Sequence, residues 1–499
     1  IETDSNMSIK LIKTMNEIAN LNPKRVWKNF YLLTQIPRPS KKEAKVIEFM
    51  KKFGEDLGLD TTVDKVGNVI IRKPATKGME NRMGIVFQGH LDMVPQKNSD
   101  KVHDFEKDPI EAYIDGEWVT AKGTTLGADN GMGCAAAMAV LEAKDLVHGP
   151  IEALFTIDEE TGMTGANELQ PGILKGDILM NLDSEDEGEL YVGCAGGVDV
   201  NVSMKYEYVD SPMGYEAYNL SLTGLKGGHS GMDINIGRAN SNKILFRFMN
   251  HCLYHFDLKL TECQGGSLRN AIPRETFATV LVKNSEAYKF ENEVKKFNEI
   301  FRSEFSDTEP DMKLQAVKTT MPNKIIAQDT AVKIIKAVFV CPHGVERMSV
   351  AMPGLVETSN NLAIIKCLNG EFTVNCLVRS SVDSAKEGAM YKIGTVFNLI
   401  NAKVSFDGAY PGWKPNMKSP ILKTMLKTYE GLYGKIPEIK AIHAGLECGI
   451  LGAGYPNWDM ISFGPTIRYP HSPDEKVNIA SIQKFWDYIV ETMKNVPVK

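Results

Sequence analysis

Seven residues of the types that bind metals or carry protons recur in similar places along this chain: His90, Asp92, Asp129, Glu159, Glu160, Asp183 and, far downstream, His471. His90 follows the apolar run 84–88, the Glu pair follows 151–157, and Asp183 follows 178–182. If one sheet gathers these groups, carboxylates about 4 Å apart repel by roughly 4 kcal/mol per pair at an effective dielectric of 20. Positive charge must then be present, and two divalent cations would balance three ligating carboxylates and a hydroxide. Imidazole and carboxylate ligands without thiolate suit zinc, with manganese or cobalt as substitutes.

The local spacings divide the labour. In an extended stretch His90 and Asp92 face the same way, so Asp92 can hold the far ring nitrogen of His90. Adjacent Glu159 and Glu160 are expected to point apart, one toward a metal and the other toward a water as general base. Each feature alone has a plainer reading: an HxD turn, a solvated strand end, an acidic loop over 183–189. The placement of a polar group directly after an apolar strand recurs, and that repetition favours a metal site.

The elements needed to position these residues are legible. The segment 41–57 sets Val46, Ile47, Met50 and Phe53 at helical spacing. Strands are predicted over 67–72, 84–88, 151–157 and 178–182, with a helix over 131–146 beginning just after Asp129 and Asn130. Strands alternating with helices predict an α/β fold, a mostly parallel sheet flanked by helices, in which ligands gather at the carboxyl ends of strands. After the Gly-rich 193–197 the texture changes to longer alternating strands and separated amphipathic helices. An inserted α+β lid domain is expected over 198–408, within a discontinuous catalytic domain of 1–197 and 409–499. Internal duplication of the insert is expected too, matching 219–222, 239–248, 276–282 and 290–301 with 348–352, 364–368, 373–379 and 385–399. From 410 the α/β texture returns, with a helix near 420–433 and a strand near 459–463.

Composition narrows the function. Apolar residues at 43% and charged residues at 24% describe a globular chain, and a net charge of −6 provides no basic field for nucleic acid. Eight cysteines without a CxxC argue for a reducing, cytoplasmic setting. The uncharged apolar run 134–141 falls far short of the roughly 20 residues that span a bilayer, so no membrane partner is expected. The start of the chain lacks a signal-peptide apolar block; Met7 is expected to be the natural start, with 1–6 a remnant. Gly-rich GADNGMG and GCAGG lack the Lys and Ser/Thr of a phosphate loop. Ser230 beside His229 lacks a nucleophile elbow. His103, His148, His251, His255 and His343 read as surface or core-edge residues.

The ordered blocks GHLDMVP, GADNGMG, DEETGMTGA, NLDSED, LKGGHSG, HAGLECG and PHSPDE resemble the M20 family of dinuclear zinc peptidases. HAGLECG and the long insertion are similar to its aminoacyl-histidine (Xaa-His) dipeptidase branch. The resemblance implies one zinc on His90, Asp129 and Asp183, a second on Asp129, Glu160 and His471, and Asp129 as the bridge. It implies Glu159 as general base and later proton donor, Asp92 orienting His90, His229 as a lid histidine that polarises the scissile carbonyl, and a cis peptide between Asp129 and Asn130. Many relatives carry a Gly-Thr-Asp type block where this chain has 443–449, so substrate contacts do not transfer there. His443 and Glu447 are candidates for reading the substrate's termini or its histidine side chain. Arg379 is a candidate clamp for the free carboxylate, because a guanidinium fork fits it bidentately; Asn361 is a weaker partner of the same kind.

The expected function is hydrolysis of dipeptides, of Xaa-His type such as β-alanyl-histidine, by a water shared between two metals. The alternatives are a deacylase of N-acyl amino acids using the same two-metal site, and an inactive metal-bound binding protein. The expected partner is a small peptide substrate, and the chain is a monomer or homodimer.

Overall fold

A computed structural model describes residues 17–499; the expectation about Met7 and residues 1–6 lies outside the described residues. The chain divides into two units, one formed by residues up to 193 with 416–441 and 446–499, the other by 194–415 with 442–445.

The first unit is built on an eight-stranded sheet, in the order Asp60–Val63, Val69–Lys73, Ile151–Thr156, Ile85–His90, Ile178–Asn181, Asp459–Ser462, Glu189–Cys194, Glu438–Ile442. The four strands from Ile151–Thr156 to Asp459–Ser462 run parallel, and Val69–Lys73 and Glu189–Cys194 flank them antiparallel. Ile151–Thr156, Ile85–His90 and Ile178–Asn181 are buried at every position, as parallel strands covered on both faces require. Their register aligns the chemistry: His90 lies opposite Thr156, and Gln88 opposite Asn181, so Glu159 and Asp183 leave the sheet at the level of His90.

The Ala44–Asp56 helix buries Val46 and Met50, while Ile47 and Phe53 are half-buried. It packs on the first two strands of the sheet. A Cβ on its Gly54 would meet Thr61 Oγ1 at 2.2 Å, so glycine there permits the close approach. The Ala128–Glu142 helix is buried nearly throughout, its run of alanines fitting it against the Lys24–Thr34 helix and the Ile85–His90 strand. Its first turn is broken, because Asp129 and Asn130 have non-helical dihedrals, and the Asp129–Asn130 peptide is cis. A small antiparallel sheet of Ile467–Arg468, Lys476–Asn478, Trp118–Ala121 and Ala112–Asp115 completes the unit. Among the described residues no helix is long and apolar enough to cross a membrane.

The second unit carries an antiparallel sheet over a core that includes Phe246, Phe248, Phe290, Phe301, Phe372 and Phe397. Its topology is that of a duplicated β-α-β-β-α-β motif. One copy is Tyr215–Thr223, helix Ser241–His255, Lys259–Gly265, Thr276–Lys283, helix Ala287–Glu304 and Lys313–Thr319. The other is Gly196–Lys205, helix Gln328–Val340, Val356–Leu368, Glu371–Ser380, helix Asp383–Asn398 and Lys403–Tyr410. Each contributes its four strands in the order fourth, first, third, second, and the two second strands meet at the centre, Cys263 opposite Cys367. This corrects the sequence pairing in part. The match of 276–282 with 373–379 and of 290–301 with 385–399 holds, but 364–368 is the end of a strand rather than the partner of the helix at 239–248. Its side chains alternate, Ile365 and Cys367 inward and Lys366 outward. The helix equivalent to Ser241–His255 is Gln328–Val340, and the first strand of that copy, Gly196–Lys205, precedes the other copy entirely.

Candidate metal centre

Four segments of the first unit, carrying His90, Glu160, Asp183 and His471, converge around Asp129. His90, the last residue of its strand and 1% exposed, places Nε2 3.1 Å from Asp129 Oδ1 and 3.4 Å from Asp183 Oδ1. His471, in a turn where its φ is +58°, places Nε2 3.2 Å from Asp129 Oδ2 and 2.9 Å from Glu160 Oε2. The two oxygens of Asp129 thus face two histidines 381 residues apart in sequence. Two groups, His90/Asp129/Asp183 and Asp129/Glu160/His471, each gather their ligand atoms within 4.8 Å of one another. Glu159 joins His90 and Glu160 in a third. The expectation that Glu159 and Glu160 diverge therefore needs correction. The strand ends at Thr156, Asp158 takes a left-handed φ of +50°, and the pair opens a short helical turn, Glu159–Gly162, that brings both carboxylates toward His90.

The electrostatics around these side chains fit a site made for cations. Glu160 Oε1 and Asp183 Oδ1 are buried without a hydrogen-bond partner, an arrangement costly for carboxylate oxygens unless something positive occupies the space between them. Burial pushes Asp183 up to about 7, with the charges of Asp129 and Glu160 adding to it. Hydrogen bonds to Asp129 and Glu160 push His471 up to about 11. His90 is raised because the charges and hydrogen bonds of Asp183, Asp129 and Asp92 overcome its burial. Protons collect where cations would sit, and the donor set of two imidazoles and three carboxylates without sulfur suits a divalent metal of the zinc, manganese or cobalt kind.

Residues around the ligands fix them in place. Asp92, fully buried, sets Oδ1 3.3 Å from His90 Nδ1 and accepts the Glu159 amide at 3.0 Å and the Glu160 amide at 3.3 Å. Burial opposes its charge, yet the hydrogen bond and charge of His90, with the Glu159 amide and Ser40, hold it down at about 2. Glu43 Oε1 accepts the preceding amide, that of Asp158, at 3.1 Å, so two carboxylates hold three consecutive amides of the Glu159 turn. Arg38, 2% exposed, donates to the carbonyls of Leu91, Asp92 and Gly127. Glu475 accepts the amides of residues 126–129. Beneath His90 and Asp183 a buried polar chain runs from Glu447 through Gln88 and Asn181 to Ser462 and Ser184. The sequence reading missed Arg38, Glu43, Gln88 and Glu475. The one available signal was the position of Glu475 four residues after His471 in the same acidic block.

Glu447, a substrate candidate from sequence, opens the Glu447–Gly454 helix and is 1% exposed, with Oε2 bonded to Gln88 Nε2 at 2.5 Å and Thr156 Oγ1 at 2.9 Å. Four other candidates lie in the second unit. His229 is half-buried, and its Nδ1 accepts the amides of Gly231 at 3.2 Å and Met232 at 3.1 Å. With Nδ1 an acceptor, the proton of the neutral ring is on Nε2, and burial and the charge of Arg379 lower its basicity. Arg379, 5% exposed, donates Nε to Ser230 Oγ at 3.3 Å and a terminal nitrogen to Tyr410 Oη at 3.2 Å. No carboxylate among the described residues of this unit forms an ion pair with it. His443 is buried with Nε2 2.7 Å from Ser359 Oγ, and its burial, then Arg379 and His229, push it down to about 3. Asn361 spends its amide hydrogens on the carbonyls of Arg269 and Ala271, leaving buried Oδ1 open. That leaves an acceptor, which suits an N–H group rather than the carboxylate expected from sequence.

A cluster of carboxylates and histidines at the carboxyl ends of parallel strands defines a class of α/β protein built to hold cations. The chain belongs to peptidase family M20/M25/M40, whose pattern matches residues 86–495. It is 45% identical over 488 residues to the cytosol non-specific dipeptidase of Escherichia coli (strain K12), covering 97% of this chain and 100% of that protein. The crystal structure of aminoacylhistidine dipeptidase from Vibrio alginolyticus is similar at a TM-score of 0.94 and 47% identity, over 98% of this chain and 100% of that one. The aminopeptidase PepT structure from Bacillus cereus, at 17% identity and a TM-score of 0.56 over 95% of this chain and 99% of that one, shares the fold.

Proposed function

We propose that this chain is a cytosolic dipeptidase in which His90, Asp129 and Asp183 would hold one divalent ion and Asp129, Glu160 and His471 a second, zinc with manganese or cobalt as substitutes. The observation that carries the reading is Asp129, whose two carboxylate oxygens face two histidines, while Glu160 Oε1 is buried without a hydrogen-bond partner and Asp183 Oδ1 meets only His90. Bound there, the ions supply Lewis acidity toward the scissile carbonyl and lower the pKa of a water. The relatives from E. coli and V. alginolyticus are named as dipeptidases, and hydrolysis of Xaa-His substrates such as β-alanyl-histidine is the specific form of the proposal.

The chain's own residues carry the remaining steps. Glu159 takes the proton of the attacking water and returns it to the leaving amine. Burial, reinforced by Asp183, Glu447 and Glu160 against the pull of His90, raises its proton affinity well above that of an ordinary carboxylate, as a group that takes up and passes on a proton needs. Asp92 holds the Nδ1 side of His90, so that Nε2 faces Asp129 and Asp183. His229, with its proton on Nε2, offers a neutral donor to the carbonyl oxygen. Arg379, a buried guanidinium that forms no ion pair with a carboxylate of its own unit, binds the substrate's free carboxylate. Asn361 Oδ1 and His443 contribute acceptor and ring contacts to the carboxyl-terminal residue, and Glu447 supports the site from beneath through Gln88.

The test pairs Glu159→Ala with a substrate panel. Hydrolysis of β-alanyl-histidine should fall by about 10²–10⁴-fold while metal analysis still finds two ions per chain. Equal activity of variant and parent refutes the role of Glu159. Faster turnover of N-acetyl amino acids than of any dipeptide makes the chain a deacylase, and no turnover of either by the two-metal parent makes it a binding protein. Light scattering distinguishes monomer from homodimer.

A further inference from the structure

Glu475 presents a problem that stability alone does not solve. Its side chain is 1% exposed and commits both oxygens to main-chain amides: Oε2 to Leu126 at 2.8 Å and Gly127 at 3.0 Å, Oε1 to Ala128 at 2.7 Å and Asp129 at 3.1 Å. A buried carboxylate gives up its hydration, and only a full set of donors offsets that loss.

The geometry around it indicates what the anion does. Among residues 471–476 Glu475 is the buried one, and it closes the turn that carries His471, its amide donating to Ser472 O at 3.0 Å. Its own carbonyl accepts Thr120 Oγ1 at 2.7 Å, on the strand that leads into the Asp129 loop. Glu475 is therefore where the turn bearing one ligand is fastened to the loop bearing the shared ligand. The Asp129 loop has further anchors: Arg38 donates to Gly127 O, and Asn130 Nδ2 donates to Leu182 O at 2.7 Å. The His471 side chain, half-exposed, meets Asp129 and Glu160 beyond this anchor.

We propose that Glu475 is a positioning residue that holds His471 at ligating distance from Asp129 and Glu160, and so governs one of the two metal sites more than the other. The inference rests on the two-ion reading above. Loosening the turn leaves His90 and Asp183 at their strand ends and Asp129 held by the remaining anchors of its loop, Arg38 and Asn130, while His471 drifts.

The experiment titrates zinc into the metal-free full chain by calorimetry with a competing chelator, for the parent, Glu475→Gln and Glu475→Asp. Two equivalents should bind the parent. In Glu475→Gln one equivalent should weaken by about 10–100-fold while the other stays within about threefold; Glu475→Asp, which keeps the charge, should recover part of the loss. Unchanged affinities overturn the proposal. So does a parallel loss of both equivalents together with a lower melting temperature of the metal-free protein, which marks a merely structural role. If Glu475→Gln does not fold, the same criteria apply to Glu475→Asp. A parent that binds fewer than two ions sinks the two-ion reading and this inference with it, whereas an unaffected variant of a two-ion parent sinks the inference alone.

Discussion

Glu447→Gln should stabilise the metal-free protein, and do so increasingly as pH rises. The carboxyl is 1% exposed; Oε2 accepts from Gln88 and Thr156, while Oε1 has no hydrogen-bond partner. Burial, aided by Asp183 and Asp92 against His90 and Thr156, pushes it up from near 4.5 to about 8. A carboxyl raised in the folded state binds more protons folded than unfolded. Its ionisation therefore costs nothing below pH 4.5, and the cost grows as pH climbs to 8 and is constant beyond. At about 1.4 kcal/mol per unit the ceiling is about 5 kcal/mol, and relaxation toward an effective dielectric well above that of dry protein should leave about 2–3 kcal/mol. Glutamine keeps the acceptor for Gln88 and Thr156 and removes the titration.

A chain of two units need not unfold in one step. The readout is accordingly the calorimetric transition that shifts on adding zinc, followed in metal-free parent and variant from pH 5 to pH 9. The gap between them should open by roughly 4–10 °C in favour of Glu447→Gln, with most of the change between pH 5 and 8. A gap that is flat with pH, or that favours the parent at high pH, refutes the assignment of a buried carboxyl held high by burial. In the loaded protein, nearby cations draw Glu447 toward its ionised form, so the gap should narrow.

Two other perturbations follow from contacts in the structure. A Cβ at Gly89 would lie 2.2 Å from Asn130 Oδ1; relieving it moves the residue after Asp129 by roughly 0.8 Å, and a displacement of that order lowers kcat/KM by up to about 100-fold. Steady-state rates of Gly89→Ala within twofold of the parent count against Asp129 as the pivot of the site. Arg379→Lys keeps a charge but loses the fork and its ties to Ser230 and Tyr410, so KM for dipeptides should rise about 10-fold or more with little change for dipeptide amides. An equal effect on both substrates removes the carboxylate role.

The residues facing the proposed ions were readable where metal chemistry restricts side-chain type and strand ends restrict position: His90, Glu160 and Asp183 follow apolar runs, whereas Asp129, ahead of a helix, and His471, in a turn, were placed by the resemblance of their blocks. The residues that hold them were not readable. Glu475, Glu43 and Arg38 bind main-chain amides and carbonyls, which every residue possesses, so nothing at Leu126, Asp158 or Leu91 announces the contact. A charged residue with a backbone partner looks in sequence like one facing water. The direction of Glu159 and Glu160 was misread on the same footing, since the helical turn that brings them together is set by the left-handed Asp158 and by amides held by Asp92 and Glu43.

The duplication in the second unit was legible, but the pairing of its first halves was not, for a reason of order rather than chemistry. One complete β-α-β-β-α-β copy, 215–319, is inserted between the first strand and the first helix of the other. A search for a tandem repeat therefore aligns the second halves correctly and then runs out of chain for the first, pairing the 364–368 strand with a helix. The sheet restores the symmetry that the sequence order hides: Lys259–Gly265 and Val356–Leu368, the second strand of each copy, lie side by side and antiparallel at its centre. Two open-edged sheets joined at those edges leave as edges the outermost strands, Lys313–Thr319 and Lys403–Tyr410, and the short Gly344–Met348 strand paired on Val356–Leu368. Joining the copies removes two exposed edges that each would carry alone, which gives the duplication a physical basis independent of any role in catalysis.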